Sequence, residues 1–431
     1  MKRARPLHVL AILPGLSPSA ILTIIKPLAA LHRAGAIIAD FTLEAWVPSC
    51  KLGRADVIVF SRNTDPIYGA ILDKALTLGI PIIYDLDDNF FELPPFYQQE
   101  LPYKTKSHTL QLERYLTSAN LVRVYSKALQ VRILQLNPQV VRVKGAVDFS
   151  LLPVSLPLRD LERVRIVYAT SRSNNDDLAD IFLDDLRKIL SVYQEKVEVF
   201  FWGYQPSALR GHPSVRFLEF IPDYDRFFRD FAKFGFDIGL APLRDEVFYR
   251  SKSNNKFREY GACRIAGIYS NIDVYAECIT QGQTGLLVSD RPGAWFKAIS
   301  QLIESPALRE GIQERAYQFV REHYRLEDAS TAWCSQLQEV AFKRSTSTLT
   351  HHSARPTQHV GRPSFMVLER GRSILFRLIR VGKLGGRMIC HLKTDGLFPT
   401  IKKGQSLLRE FYMLMRMKWL LVESRLGKYR Q

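Results

Sequence analysis

The sequence predicts an α/β protein with two doubly wound domains that face each other across a cleft, followed by a basic helical C-terminal extension. Short apolar runs alternate with amphipathic stretches twice along the chain, which is typical of parallel sheets covered by helices on both faces. A length of 431 residues favours two domains and an additional segment over a single core. The charge is uneven, because His351–Gln431 holds 17 Lys and Arg against 4 Asp and Glu in a chain of net charge +17.

The first domain is predicted to span residues 1–156. Ser17–Ala34 reads as a helix that Ser17 caps and that ends near Gly35, and Asp65–Leu78 reads as a second helix. The predicted strands are short runs rich in Val, Ile and Leu, at His8–Leu13, Asp56–Phe60, Ile80–Tyr84, Asn120–Tyr125 and Val140–Val143.

The second domain is predicted to span residues 157–343, after a proline-bearing segment near Leu151–Pro157. Its strands are expected at Arg165–Ala169, Val197–Trp202, Val215–Phe217, Asp237–Ala241 and Ile265–Tyr269, and its helices at Asp176–Val192, Lys256–Cys263 and Trp295–Ile303. Ligands bind outside the carboxyl ends of the strands in open parallel sheets. The cleft between the two domains is therefore the predicted ligand site.

The composition changes twice beyond the second domain. Residues 344–364 are rich in Ser, Thr, His and Pro, which predicts a flexible linker. In the tail, residues 365–431, Phe365–Val381 and Gln405–Leu426 have the periodicity of basic amphipathic helices. We expect this tail to bind an anionic membrane surface, with the arginines toward lipid phosphates and the aromatic rings inserted. The predicted membrane-binding residues are Arg409, Phe411, Arg416, Trp419 and Arg425.

The sequence of the tail allows two other interpretations. Its helices could instead pack on the body of the protein. Nucleic-acid binding is disfavoured, because the basic residues are mixed with apolar helix faces rather than with exposed aromatics along a groove.

Composition also bears on location. No run of about 18 apolar residues suggests a transmembrane helix, and Pro14, Pro18 and Lys26 interrupt the apolar start that would otherwise imitate a signal peptide. The five cysteines are scattered and the nine histidines form no metal-ligand pattern. These features predict a cytoplasmic protein, peripherally associated with the inner face of the cell membrane, without a bound metal or cofactor.

The most specific segment is residues 236–290. It contains an Asp-hydrophobic-hydrophobic-Pro strand from Asp237 to Pro242, then Lys256, Glu259 and Tyr260 on a helix, and a Gly-x-Thr-Gly-Leu-Leu-Val loop from Gly282 to Val288. In this order the motifs resemble the nucleotide-binding domain of the glycosyltransferase group 1 family, which has two Rossmann-like domains in the GT-B fold. The resemblance extends over roughly residues 6–343.

That resemblance implies a bacterial hexosyltransferase-like enzyme that transfers a sugar from a nucleotide-sugar donor to a glycan or lipid-linked acceptor, as in cell-surface polysaccharide synthesis. Relatives mostly retain the anomeric configuration, and we expect transfer in this chain to need no added divalent ion. The family motif places Glu259 on the donor ribose, where a carboxylate can accept hydrogen bonds from both hydroxyls. Lys256 and Lys252 are candidate diphosphate ligands, because the leaving diphosphate develops negative charge.

Other donor-site candidates depart further from the family pattern. Arg172 is similarly placed to a phosphate-binding Arg, although the Lys-Gly that follows in the family is absent. Gly282, Thr284 and Gly285 are expected to form a backbone turn near the donor. The family often has a sugar-contacting Glu where this chain has Ser251, which leaves the sugar open and raises the alternative of a non-catalytic nucleotide-sugar-binding or scaffold protein. A GT-B-fold sugar-nucleotide epimerase is a further alternative.

In the first domain, Asp87 takes the place at which many relatives have a sugar-contacting His, and it is our candidate catalytic residue. The run Asp85-Leu86-Asp87-Asp88 also imitates the metal-binding DxD motif of GT-A enzymes. Those enzymes use one nucleotide-binding unit, whereas the nucleotide signature here lies in the second half, and we therefore predict no metal site.

Overall fold

The computed structural model describes residues 5–94, 105–155, 162–171 and 177–350, together with residue 415. The predicted α/β architecture is confirmed in these residues, which form two parallel six-stranded sheets with helices packed on them. None of the described helices is both long enough and apolar enough to cross a membrane.

The first domain is built on a sheet with the strand order β2-β1-β3-β4-β5-β6. All neighbouring pairs are parallel, so the carboxyl ends of the strands share one edge. The strands are β1 Leu7–Leu13, β2 Ile37–Leu43, β3 Val57–Ser61, β4 Ile82–Leu86, β5 Leu121–Val124 and β6 Val140–Arg142. The α-helices are α1 Pro18–Ala20, α2 Lys26–Arg33, α3 Ser49–Leu52, α4 Gly69–Thr77, α5 Lys106–Ser118 and α6 Lys127–Leu134.

The predicted cap of the first helix is confirmed. The Ser17 hydroxyl accepts a hydrogen bond from the Ala20 amide at 3.1 Å, and Pro18 occupies the first helical position, where its missing N–H costs nothing. A π-helical turn at Ile21–Ile25 joins α1 to α2, so the helical segment is continuous but widened. Short 3₁₀ turns occur at Glu44–Trp46, Pro66–Tyr68 and Phe149–Leu151.

The second domain repeats the architecture with the strand order β12-β11-β10-β7-β8-β9. Its strands are β7 Val164–Ala169, β8 Val197–Trp202, β9 Val215–Leu218, β10 Ile238–Ala241, β11 Ala266–Ser270 and β12 Leu286–Val288. Its helices are α7 Asp180–Tyr193, α8 Tyr224–Lys233, α9 Val247–Arg250, α10 Asn255–Ala262, α11 Asp273–Ala276, α12 Ala294–Glu304 and α13 Pro306–His323, with 3₁₀ turns at Gln194–Lys196 and Ser207–Leu209.

The last helix, α14 Leu326–Thr350, returns to the first domain. Trp333 is fully buried there, and its indole N–H donates to the Thr23 carbonyl at 2.6 Å. Leu337 and Val340 enter the same core as β1 and β2. The segment 326–340, which was predicted to belong to the second domain, thus packs on the first. Helix α14 therefore connects the two domains.

The chain crosses between the domains twice, and the two crossings lie side by side. The Val147 amide donates to the Tyr324 carbonyl at 2.8 Å, and Val147 forms an isolated bridge with Arg325. The crossings are therefore paired through their backbones rather than independent.

Two predictions are corrected by the helix and strand bounds. Helix α14 continues to Thr350, seven residues into the segment predicted to be a flexible linker, because Ser and Thr are tolerated in helices and no Pro or Gly occurs before Pro356. The Leu286–Val288 part of the glycine-containing segment, taken as a loop, is an edge strand.

Candidate functional site

A cavity of about 360 Å³ lies between the domains, where the carboxyl ends of the two sheets meet. The first domain contributes the start of the capped helix, Arg62, Asp87 and Asp88. The second contributes the end of β7, apolar and aromatic side chains, and the segment 252–259. The cavity thus occupies the place in which the sequence predicted a ligand.

Glu259 and Lys256 lie together on the wall formed by α10. Their spacing of three residues puts both on one face of the helix, and the Lys256 ammonium donates to Glu259 Oε2 at 2.8 Å. The Tyr224 hydroxyl donates to the other carboxylate oxygen, Oε1, at 3.3 Å. The structure therefore brings these two predicted donor ligands together at the cavity, and the Tyr224 hydroxyl helps to fix the orientation of the carboxylate.

Lys252 also reaches the cavity, although not from a helix. Helix α10 begins at Asn255, so Lys252 lies outside that helix, in the turn after α9, and does not share a helical face with Lys256. Its ammonium is 2.9 Å from Asp88 Oδ1 in the other domain and 4.3 Å from the centre of the Phe248 ring. An ion pair therefore crosses the cleft at this point.

Asp87, the predicted catalytic residue, lines the cavity in a bidentate ion pair. Arg62 Nε donates to Oδ1 at 2.7 Å and Nη2 to Oδ2 at 2.5 Å. Both carboxylate oxygens therefore accept hydrogen bonds from the guanidinium. These contacts orient Arg62 at the cavity, and the catalytic role of Asp87 stays a prediction.

Arg62 is a site residue that the sequence reasoning missed. It follows β3 with a φ of 58°, which is uncommon for a residue with a side chain. Asn63 fixes this turn, because its Oδ1 accepts from the Ser61 amide at 2.9 Å and its carbonyl accepts from the Tyr84 hydroxyl at 3.0 Å. A cation directly after a buried strand, at the carboxyl edge of the sheet, was the signal available in the sequence.

Asp85, the first carboxylate of the DxD-like run, lies beneath the cavity. It accepts from Arg123 Nε at 3.2 Å and from the Tyr125 hydroxyl at 2.7 Å. Burial raises its pKa to about 7 in spite of Arg123. Within the described residues, no group of three or more His, Cys, Asp or Glu side chains could hold a metal ion.

Ser251 is placed at the domain interface instead of on the cavity wall. Its hydroxyl donates to the Val247 carbonyl at 2.7 Å and accepts from Asn89 Nδ2 at 3.3 Å, while its carbonyl accepts from the Ser126 hydroxyl at 2.8 Å. The side chain is buried. Ser251 thus contacts the first domain and is not among the residues that line the cavity, and its donor contact stays a prediction.

The glycine-containing turn is also away from the cavity. Gly282 has a φ of 72°, and Thr284 Oγ1 accepts from the Thr280 amide at 2.9 Å, so both form the turn itself. A Cβ on Gly285 would come within 2.9 Å of the Tyr269 ring. Arg315 of α13 donates to the carbonyls of the turn. None of these three residues lines the cavity, so their donor-binding role stays a prediction, and Arg172 falls outside the described residues.

A buried ion triad ties the domains together beside the cavity. Lys26 of α2 lies 2.6 Å from Asp148, at the first crossing, and 2.9 Å from Asp225 of α8. Burial opposes ionisation of Asp148, but the Lys26 ammonium outweighs it and holds the pKa of that carboxyl below its usual value. The relative position of the two walls is therefore held by charge as well as by the crossings.

Comparison with known proteins identifies the second domain. Residues 163–305 match the family model described as glycosyl transferases group 1. The second domain therefore resembles this family over those residues. No curated protein sequence is significantly similar to the chain.

Solved structures extend the likeness to both domains. HepE from Anabaena, solved with UDP and glucose, has a TM-score of 0.56 and 12% identity, over 77% of this chain and 99% of that chain. Sucrose-phosphate synthase from Thermosynechococcus elongatus has a TM-score of 0.56 and 12% identity, over 78% and 99%. A glycosyltransferase from Rickettsia africae has a TM-score of 0.54 and 13% identity, over 78% and 99%. The first and second domains together thus have the GT-B fold.

The turn that presents Arg62 depends on a buried glutamate, which makes its stability sensitive to pH. Asn63 Nδ2 donates to Glu44 Oε2 at 2.6 Å. Burial, opposed by this hydrogen bond and aided by Asp65, raises the pKa of Glu44 from 4.5 to about 7. The folded state therefore binds more protons than the unfolded chain between these two values.

We expect the Glu44 contribution to the free energy of unfolding to fall as pH rises from about 4.5 to about 7 and to stay constant above that. The slope is at most about 1.4 kcal/mol per pH unit. Glu44→Gln cannot ionise, so its stability relative to the native protein should improve across this range. Urea unfolding at pH 5, 6, 7 and 8 tests this, with the exposed Glu310→Gln as the control. Parallel pH profiles for the native protein and Glu44→Gln would contradict it.

Proposed function

We propose that the protein transfers a sugar from a nucleotide-sugar donor to a glycan or lipid-linked acceptor. The observation that carries the proposal is the pairing of Glu259 and Lys256 on the cavity wall of the second domain. A carboxylate beside an ammonium offers one group for a ribose diol and one for a diphosphate. HepE, of the same fold, has been solved with UDP-glucose, which supports a donor of this chemical class.

The wall of the second domain provides an apolar surface for the rest of the nucleotide. Trp202, Phe220, Tyr224 and Phe227 line the same cavity as Glu259. Aromatic rings bind planar bases by stacking. In the proposed complex, Glu259 accepts hydrogen bonds from the ribose, and the base lies among these rings.

Charge development on the leaving diphosphate is met by ammonium groups. Lys252, in the turn between α9 and α10, and Lys256, on α10, both line the cavity. Fixed cations stabilise a developing anion without reorganisation. We propose that they carry out this task without a divalent ion and that the anomeric configuration is retained, as the family resemblance implies.

In the proposal the acceptor enters from the first domain, where the Arg62 side chain lines the cavity. Its guanidinium is held by Asp87 and Asp88 and is 22% exposed. It can bind hydroxyl or phosphate oxygens of an acceptor. A lipid-linked acceptor fits the basic tail, because tethering would confine enzyme and acceptor to one surface, as cell-surface polysaccharide synthesis requires.

The donor assignment predicts that Glu259→Ala and Lys256→Ala weaken nucleoside diphosphate binding while the fold survives. Loss of a hydrogen bond to a charged group costs about 1.5–3 kcal/mol, or roughly ten- to a hundredfold in affinity. Isothermal titration calorimetry against UDP, GDP and ADP measures this. The exposed residues Lys297 and Glu310 provide matched controls as Lys297→Ala and Glu310→Ala. Native affinity in both site variants would refute the assignment.

The second prediction concerns metal dependence. Release of nucleoside diphosphate from a nucleotide-sugar donor should continue in excess chelator, because Lys252 and Lys256 neutralise the leaving group. Measuring product with and without EDTA, and after adding back Mg²⁺ or Mn²⁺, tests this. Loss in EDTA that either ion restores would contradict it. Donor binding without any turnover would favour the non-catalytic alternative.

The third prediction concerns the tail, which lies outside the described residues. Replacing Arg409, Arg416 and Arg425 by Gln in the full chain should reduce co-sedimentation with anionic vesicles, since each basic residue near such a surface contributes on the order of 1 kcal/mol. Phe411→Ala combined with Trp419→Ala should weaken binding independently of salt.

The control for the arginine variant removes the same charge from the body of the protein. Arg114, Arg187 and Arg226 have half-exposed or exposed side chains and suit replacement by Gln. Vesicles of neutral and anionic lipid at low and high salt separate the electrostatic from the apolar contribution. Equal sedimentation of the native protein and the tail variants would refute the membrane proposal.

A further inference from the structure

Asp88 connects cations of both domains across the cleft. Its Oδ1 is 2.9 Å from Lys252 Nζ and its Oδ2 accepts from Arg62 Nη2 at 3.0 Å. All three side chains line the cavity. One carboxylate of the first domain thus engages the cation that the donor site would use for a diphosphate.

The surroundings of Lys252 explain why an anion is needed there. The side chain is 18% exposed, and Asp88 is 21% exposed. A cation at this depth is destabilised by lost hydration unless an anion is close by. Asp88 supplies that anion in the structure, from the opposite domain.

A diphosphate offers Lys252 the same interaction with more charge. Phosphate oxygens, like carboxylate oxygens, accept charge-assisted hydrogen bonds from an ammonium. A diphosphate that contacts the same ammonium would lie close to Asp88 and meet like-charge repulsion. The two anions therefore compete.

We propose that Asp88 competes with the donor diphosphate for the Lys252 ammonium and is displaced from it when the donor binds. This inference rests on the proposed function, because it makes Lys252 a diphosphate ligand. It predicts that removing the Asp88 carboxylate strengthens binding of the diphosphate, whereas removing a binding residue would weaken it. Asp88 is then an internal competitor that limits donor affinity.

The test compares Asp88→Asn with the native protein by calorimetry, using inorganic pyrophosphate as the probe and UDP, GDP and ADP in separate titrations. Asparagine keeps the shape and removes the charge. We expect pyrophosphate to bind roughly three- to tenfold more tightly to Asp88→Asn, as the loss of one partly exposed ion pair implies. Adding Lys252→Ala to Asp88→Asn should abolish the gain.

A matched control exists at another interdomain ion pair, outside the cavity. Arg142 Nη1 lies 2.5 Å from Glu277 Oε2, with half-exposed side chains. Glu277→Gln removes one negative charge and one bridge between the domains, as Asp88→Asn does. It should leave pyrophosphate affinity unchanged.

The outcomes separate the inference from the proposed function. Unchanged or weaker pyrophosphate binding in Asp88→Asn, or an equal gain in Glu277→Gln, would overturn the inference. A pyrophosphate gain that depends on Lys252, with no nucleoside diphosphate binding to the native protein or to Asp88→Asn, would support the competition while refuting the nucleotide-sugar proposal.

Discussion

Three aspartates, Asp85, Asp87 and Asp88, lie at the carboxyl end of β4, and their removal from bulk water requires each carboxylate to be paired with a cation. A carboxylate removed from water costs several kcal/mol unless a cation and hydrogen bonds compensate it. The pairs are Asp85 with Arg123, Asp87 with Arg62, and Asp88 with Arg62 and Lys252. Arg123 in turn lies 3.5 Å from the ring of Trp333 in the last helix. The requirement for neutral pairs thus connects the sheet, the cavity, the second domain and the returning helix.

The fold could be predicted from the sequence because buried parallel strands are continuous apolar runs. Val197–Trp202 was predicted with its observed bounds for this reason. Ile37–Leu43 was missed, since Ala, Asp and Thr interrupt its apolar pattern and its pairing with β1 defines it. The return of helix α14 to the first domain could not be predicted, because an amphipathic pattern does not specify which core the apolar face enters.

The candidate site was predictable where function depends on local spacing. Lys256 and Glu259 are three residues apart on one helix, so the sequence alone places them side by side. Arg62 was not predictable in that way, because its position depends on a left-handed turn and on carboxylates 25 and 26 residues away. Likewise, nothing local reveals that Ser251 contacts the other domain.

The charged side chains that line the cavity balance one another. Among the described lining residues, the charged side chains are three cations, Arg62, Lys252 and Lys256, and three carboxylates, Asp87, Asp88 and Glu259. Three cations without partners would repel one another across the cleft and lose hydration. The carboxylates remove both costs, which stabilises the contact between the two domains. The same pairing reduces the attraction available to an incoming polyanion, so the interface between the domains is stabilised at the expense of ligand affinity.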